Sequence, residues 1–284
     1  MKRLLAPVLT LLLLTGCGVR IETSDPTPPE PSAAEVVRQR EALRAEVLSE
    51  AGFAPVAAHA AEQLVALGGV WEAWPDGDGP TDAPTRQSAD ISAPTSESEL
   101  ADLLATTTPD LIEASIAAQE PPIALLYSVI ALSRTADEAT LRGELGEPLA
   151  PTWPELVVTA VPSTIRALDE AAYILDTVAA QDAAAGTEST AKADSARFRA
   201  WAEASAEALG VAATEDDPRE AVYEAIDADL GSLFAGLARE LLVASASSSD
   251  PASTLAAMQA AAEQAVALGE SFGALEGVAV PANS

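Results

Sequence analysis

The sequence has a single cysteine, Cys17, and a single histidine, His59, in 284 residues. One cysteine excludes an internal disulfide. The same scarcity removes zinc arrangements built from sets of cysteine and histidine ligands. Basic side chains are few: 15 Lys and Arg stand against 44 Asp and Glu, a formal charge of −29 at pH 7. Such a surface repels both nucleic-acid phosphates and anionic lipid headgroups, so no nucleic-acid partner is expected. Aromatic residues are only 4% of the chain, and no basic patch interleaved with stacking rings occurs. Phosphate-binding and dinucleotide-binding glycine patterns are also missing.

Aliphatic residues, alanine above all, are what the chain has. Hydrophobic residues make up 49%, which argues for a folded core despite a net charge that elsewhere signals disorder. Alanine has the highest helix propensity and lets helices approach closely. Alternating β-branched runs are few, so the expected fold class is all-α. The length suits one large helical domain or two smaller bundles.

The N-terminus carries its own signal. Lys2 and Arg3 precede an apolar run over residues 4–14, interrupted by Pro7 and Thr10, and then Leu14-Thr15-Gly16-Cys17. A charged start, a short apolar stretch and small residues at a cleavage point describe a secretory signal peptide, here residues 1–16. The Leu-Thr-Gly-Cys end resembles the lipobox of bacterial lipoproteins. That resemblance implies cleavage before Cys17, acylation of its thiol, and a body lipid-anchored on the extracytoplasmic face of the cell membrane. Several acyl chains together anchor stably where one does not. Loss of Lys2 and Arg3 takes the formal charge to −31, so the anchor would hold the protein at a surface its body avoids.

Residues 17–33 include Asp25-Pro26-Thr27-Pro28-Pro29-Glu30-Pro31, an extended tether at ~3.1 Å per residue. Ser32 is placed to cap the first helix, with Glu35 at the capping-box position. Val36, Arg40, Leu43 and Val47 then form a helical stripe. A second helix is expected after Pro55, passing Leu64 and Leu67 and ending at Gly68-Gly69. Residues 75–98 read as loop. Helices are expected to resume over 99–105, 110–119 and 123–141, with Thr108-Pro109 and Pro121-Pro122 at their starts. The N-terminal helical region is thus 34–148, and residues 146–154 read as a boundary.

Beyond it, residues 151–284 carry four helical patterns, a bundle by their apolar faces. Ser163 precedes the first, which bears Ile165, Leu168, Ala172 and Leu175. The second runs over 188–209 with Phe198 and Trp201 inward. Asp217-Pro218-Arg219-Glu220 reads as a helix start, followed by the stripe Val222, Ile226, Leu230, Leu233, Leu237 and Leu241. Asp250-Pro251 opens the last helix.

Several short stretches carry a wider resemblance: Leu67-Gly68-Gly69-Val70-Trp71 with Trp74-Pro75-Asp76-Gly77, Ser128-Val129-Ile130-Ala131, Glu170-Ala171-Ala172-Tyr173, Arg199-Ala200-Trp201-Ala202 and Asp217-Pro218-Arg219. With the lipobox and tether, the chain resembles actinobacterial lipoproteins of unknown function with a C-terminal ferritin-like domain. The resemblance implies a four-helix ferritin-like bundle over 151–284. Two departures stand against a full match. Ferritin-like di-metal sites use Glu-x-x-His pairs, and no such pair exists here. The fold also needs a long crossover between its second and third helices. Either residues 218–229 supply it, despite their stripe, or the bundle runs simply up and down.

The candidate chemistry is thin. Glu170 and Glu240, with His59, are the residues a remnant metal or proton site would use, but no metal or cofactor is expected. Gly269-Glu270-Ser271-Phe272-Gly273 matches a nucleophile elbow in letters only, since it ends a helical pattern where that motif needs a strand before it. His59 flanks its helix's apolar face, the place of a packing or hydrogen-bonding residue. Asp76, Asp78 and Asp82 crowd a loop beside Trp71 and Trp74; carboxylate oxygens suit calcium, but the spacing is not that of an EF-hand, and the tryptophans are expected to pack beneath the loop. The expected function is that of a non-catalytic envelope lipoprotein binding a protein partner or serving structurally. The alternative is a small-ligand or metal-binding bundle.

Overall fold

The computed structural model describes residues 31–72, 87–187, 189–223 and 229–276. Cys17, the tether up to residue 30, Trp74, Asp76, Asp78, Asp82 and Ile226 lie outside them. The chain divides into two compact units. One, Met1–Pro31 with Glu72–Gln87, falls almost wholly outside the described residues. The other comprises Ser32–Trp71 and Ser88–Ser284 and is the body considered below.

That body is helical, and the described residues contain no strand. Its helices are α1 (Ala33–Glu50), α2 (Val56–Ala66), α3 (Glu97–Ala117), α4 (Pro121–Glu144), α5 (Pro162–Ala185), α6 (Ala191–Leu209), α7 (Leu230–Ser245) and α8 (Pro251–Ala267). Local chemistry sets several starts. The side chains of Ser32, Ser96 and Asp250 accept from the backbone N–H of Glu35, Glu99 and Ser253 at 3.2, 3.2 and 3.1 Å. Each satisfies a donor that the first turn leaves open. Gly186 and Gly210 end α5 and α6 in the left-handed region, at φ 72° and 77°, where a side chain is disfavoured.

Three expectations are corrected. On α1 the buried face is Gln39, Glu41, Ala42, Leu43, Arg44, Ala45 and Leu48, and Val36 is 49% exposed. Leu43 of the expected stripe is buried, but Val36 is not, and the paired charges Glu41 and Arg44 share the inner side with Ala42, Ala45 and Leu48. The helices expected over 99–105 and 110–119 are one helix, α3, which continues through Pro109. Thr106, Thr107 and Thr108 donate their hydroxyls to the carbonyls of Asp102, Leu103 and Leu104 at 2.7, 2.9 and 2.8 Å, and Leu104 and Leu111 are fully buried on either side. Packing across the proline overrides the break it favours. Third, the helix expected after Asp217-Pro218 begins only at Leu230, and Val222 is 68% exposed.

The stretch after Pro218 is pinned by its polar groups instead. Arg219 folds back on Asp217 and reaches Glu203. Arg166 pairs with Glu220 at 2.6 Å. The Tyr223 hydroxyl donates to Asp169 at 2.9 Å and accepts from the Glu220 N–H at 3.0 Å. These bonds lay the connection between α6 and α7 against α5 and α6.

The helices pack as hairpins α1/α2, α3/α4, α5/α6 and α7/α8, with α4 against α8 and α5 against α7. Directions follow from the contacts. The Thr159 N–H donates to Ser205 Oγ at 3.0 Å, so α6 ends where α5 begins. Ser163 and Thr164 donate to Glu240, so α7 also ends there. Helices α6 and α7 are therefore parallel, and the described part of the connection runs back along α5, with Glu220 at Arg166 and Tyr223 at Asp169. One core draws on α4 through α8: Val129 and Leu132 meet Ile165, Leu168, Phe198, Trp201, Phe234, Leu237, Leu241 and Met258. Trp153, from the segment before α5, stands edge-on to Phe198 at 5.0 Å between ring centroids. Trp201 Nε1 donates to the Glu155 carbonyl at 3.2 Å, which meets the polar need of a buried indole.

Candidate functional site

Helix α4 begins apolar and turns polar at its middle. Tyr127, Val129, Ile130 and Leu132 are buried, and so are Ser133, Arg134, Thr135 and Asp137 in the next turn. Buried charges persist only when paired. Arg134, 1% exposed, donates from Nη1 to Glu41 Oε2 on α1 at 3.2 Å. Its Nε and Nη2 find no hydrogen-bond partner among the described residues. Burial pushes the Arg134 guanidinium downward in pKa, from so high a starting value that it keeps its charge.

Glu41 is fully enclosed and also accepts from Arg44 Nη1 and Arg40 Nε, each at 3.0 Å. Arg44 forks onto Asp90, Nε to Oδ1 at 2.9 Å and Nη2 to Oδ2 at 2.5 Å, and reaches Asp110 on α3 at 2.7 Å. Bidentate pairing of this kind is strong and directional. It holds the Asp90 carboxyl below its ordinary value and Arg44 above its own.

On the other side of Arg134, His59 Nδ1 lies 2.9 and 3.1 Å from the two oxygens of Asp137. One turn further along α2, Gln63 donates to Ser133 Oγ at 3.1 Å. The hydrogen bond to Asp137 raises the His59 pKa against the opposing effect of burial. Burial raises Asp137, while His59 and Arg134 pull it back. Each member of the pair thus steadies the charge of the other against burial. No serine, threonine or cysteine hydrogen-bonds to His59 among the described residues, so the dyad has no nucleophile to activate there.

Two surface features accompany this network. A cleft of roughly 530 Å³ opens between the ends of α4 and α8, lined in part by Glu144, Glu263, Glu270 and Ser271. Burial and the nearby Glu138 push Glu263 up to about 7. A mostly apolar groove of roughly 310 Å³ runs beside Ala33, Val37, Ala117, Ile123 and Tyr127.

The residues singled out from sequence are scattered. Glu170 is half-buried on α5. Glu240 accepts from Ser163 Oγ at 2.8 Å and Thr164 Oγ1 at 3.3 Å, at the start of that same helix. No group of three or more His, Cys, Asp or Glu among the described residues is placed to hold a metal ion. Ser271 follows helix α8 rather than a strand. Trp71 is 46% exposed and its N–H donates to Gln39 at 2.7 Å; the loop it was expected to pack beneath lies outside the described residues. Only His59 belongs to the charge network. Glu41, Arg44, Arg134 and Asp137 were missed, although an arginine and an aspartate three apart inside an apolar helix are a usable signal.

The architecture is that of an all-helical bundle with a buried ionic centre. Among its described residues no helix is long and apolar enough to cross a membrane. Comparison with protein-family models, curated proteins and solved structures found no match for the chain.

Proposed function

We propose that this chain is a lipid-anchored extracytoplasmic protein, held at the cell membrane through Cys17, whose helical body binds an envelope protein partner or serves structurally without catalysis. The observation that carries the reading is the order of signals at the N-terminus: Lys2-Arg3, the apolar run over 4–14, Leu-Thr-Gly-Cys, and a proline-rich spacer. Ser32 then caps α1, so a folded body begins directly where the spacer ends. The test is incorporation of a palmitate analogue during growth. The wild-type chain should be labelled and fractionate with membranes, and Cys17→Ser should lose both properties. Labelling that survives Cys17→Ser would overturn the anchor. Crosslinking at the membrane would then identify the partner.

The C-terminal half is best read as a ferritin-like bundle without a metal site. The parallel course of α6 and α7 favours it, because that fold joins two hairpins by a crossover along the body. Elemental analysis of protein purified without chelator is expected to find no stoichiometric iron or manganese. Finding either would restore the ligand-binding alternative, with Glu170 the first residue to mutate.

A further inference from the structure

We propose that His59 and Asp137 form a pH-dependent latch that clamps α2 tightly onto α4 while the imidazole is protonated and loosens when that proton is lost.

The geometry supplies both halves of the latch. Helix α2 is tied to α4 by two polar contacts one turn apart, His59 to Asp137 and Gln63 to Ser133. Its other contacts are apolar along the helix, where Val56 and Ala60 share a cluster with Leu100, Ala101 and Leu104 of α3 and Leu48 of α1, and polar at its end, where Arg38 of α1 donates to the Leu67 and Gly69 carbonyls. Only the first polar contact contains a group that titrates near neutral pH. The His59 side chain is 16% exposed, so it can exchange a proton with solvent, whereas Asp137 beneath it is 6% exposed.

Charge balance explains why the proton matters. Arg40, Arg44, Arg134 and His59 are each hydrogen-bonded to carboxylates among Glu41, Asp90, Asp110 and Asp137, and the His59–Asp137 pair couples to the rest through the Arg134 charge. With all four carboxylates ionised, the charges balance only when His59 carries its proton. The charged groups acting on His59 are Asp137 on α4 and Glu62 on its own helix; Arg134 acts on Asp137, with Glu41 of α1 bonded to it, and α3 presents the three apolar residues named above. Two carboxylates thus favour the imidazolium, and His59 titrates above its ordinary value.

Loss of the proton leaves the Nδ1–H of a neutral ring donating to Asp137 and removes the ionic part of the bond. Arg134, three residues away on α4, has Nε and Nη2 uncommitted among the described residues. Residues three apart on a helix are neighbours, so the Arg134 charge alone then balances Asp137. The carboxylate therefore answers to two cations while His59 is protonated and to one, Arg134, afterwards. Helix α2 stays paired with α1, and its seam with α4 is what loosens.

Because His59 is the only histidine, its imidazole signal in an NMR titration of the full-length chain is unambiguous. It should titrate above ~6.5, the value of a free histidine. Hydrogen exchange, corrected for the intrinsic effect of pH, should show protection of residues 56–66 falling across the same interval. For each unit by which the pKa is raised, the fall should be about tenfold. His59→Gln should make protection of α2 independent of pH while α5 and α6 exchange as before. A His59 pKa at or below 6.5, or α2 protection unchanged through the titration, overturns the latch. Both readouts use the wild-type chain, so they decide the matter even if His59→Gln fails to fold.

Discussion

Arg134 and Glu41 meet 3.2 Å apart with neither side chain open to solvent. The two halves of this pair are not equivalent. Arg134 has Glu41 as its hydrogen-bonded anion, whereas Glu41 also binds Arg40 and Arg44. Removing the carboxylate strands a buried guanidinium. Removing the guanidinium leaves the carboxylate neutralised, and it takes away two donors without partners. Breaking a buried pair typically costs ~3–5 kcal/mol. Glu41→Leu is expected to fall in that range and Arg134→Met well below it. Urea midpoints at constant m-value would check the ordering, and equal losses would mean that Arg134 is held by something other than Glu41.

Glu263 predicts a second pH effect of defined sign. Its folded pKa, about 7, lies above the ordinary 4.5 because of burial first and Glu138 second. A raised folded pKa contributes stability that is present below ~4.5 and is lost as pH rises through about 7. Glu263 is only partly buried, so solvent screening holds the effect to on the order of 1 kcal/mol. Glu263→Gln should leave the melting temperature unchanged near pH 4.5 and raise it at pH 8. No gain at pH 8 would place the carboxylate in better contact with water than the cleft suggests. This loss is separable from the His59 latch by location, since it acts on the α4–α8 seam and not on α2.

Phe198 anchors the larger core. It is fully buried and touches Trp153, Trp201 and Phe234 at centroid distances of 5.0, 5.5 and 6.3 Å. Phe198→Ala is expected to destabilise the body by ~3–5 kcal/mol, combining lost burial with a cavity that surrounding rings fill poorly. Phe198→Leu should cost much less. Thermal unfolding followed by circular dichroism would compare them, and a small loss in Phe198→Ala would show that the neighbouring rings close the gap.

What the sequence made legible was whatever local chemistry decides. Ser32 and Asp250 cap helices as their residue types foretell, and Phe198 and Trp201 face inward as their spacing implies. Partners far along the chain decided the rest. Nothing near Glu41 in sequence announces Arg134, 93 positions away, so an inward-facing charge looks like a gap in an apolar stripe. The stripe from Val222 misled for the opposite reason. Its apolar spacing is real, but Tyr223, Glu220 and Arg219 gain more from Asp169, Arg166 and Glu203 on neighbouring helices than from a local turn.

Pro109 offers the sharpest test of that contest between local and tertiary preference. It lies inside α3, where a proline removes a backbone donor and crowds the carbonyl four residues earlier. Its side chain is exposed, so replacing it with alanine gives up little buried surface. In the unfolded chain the substitution adds freedom, which opposes stability by ~0.4–1 kcal/mol. In the helix it restores a donor where a proline costs ~3 kcal/mol. The balance favours Pro109→Ala by ~2 kcal/mol, read as a higher melting temperature with unchanged helical signal. A lower melting temperature would mean that the three threonine hydroxyls before Pro109 already relieve the helix of its strain, and that the proline then acts mainly by restricting the unfolded chain.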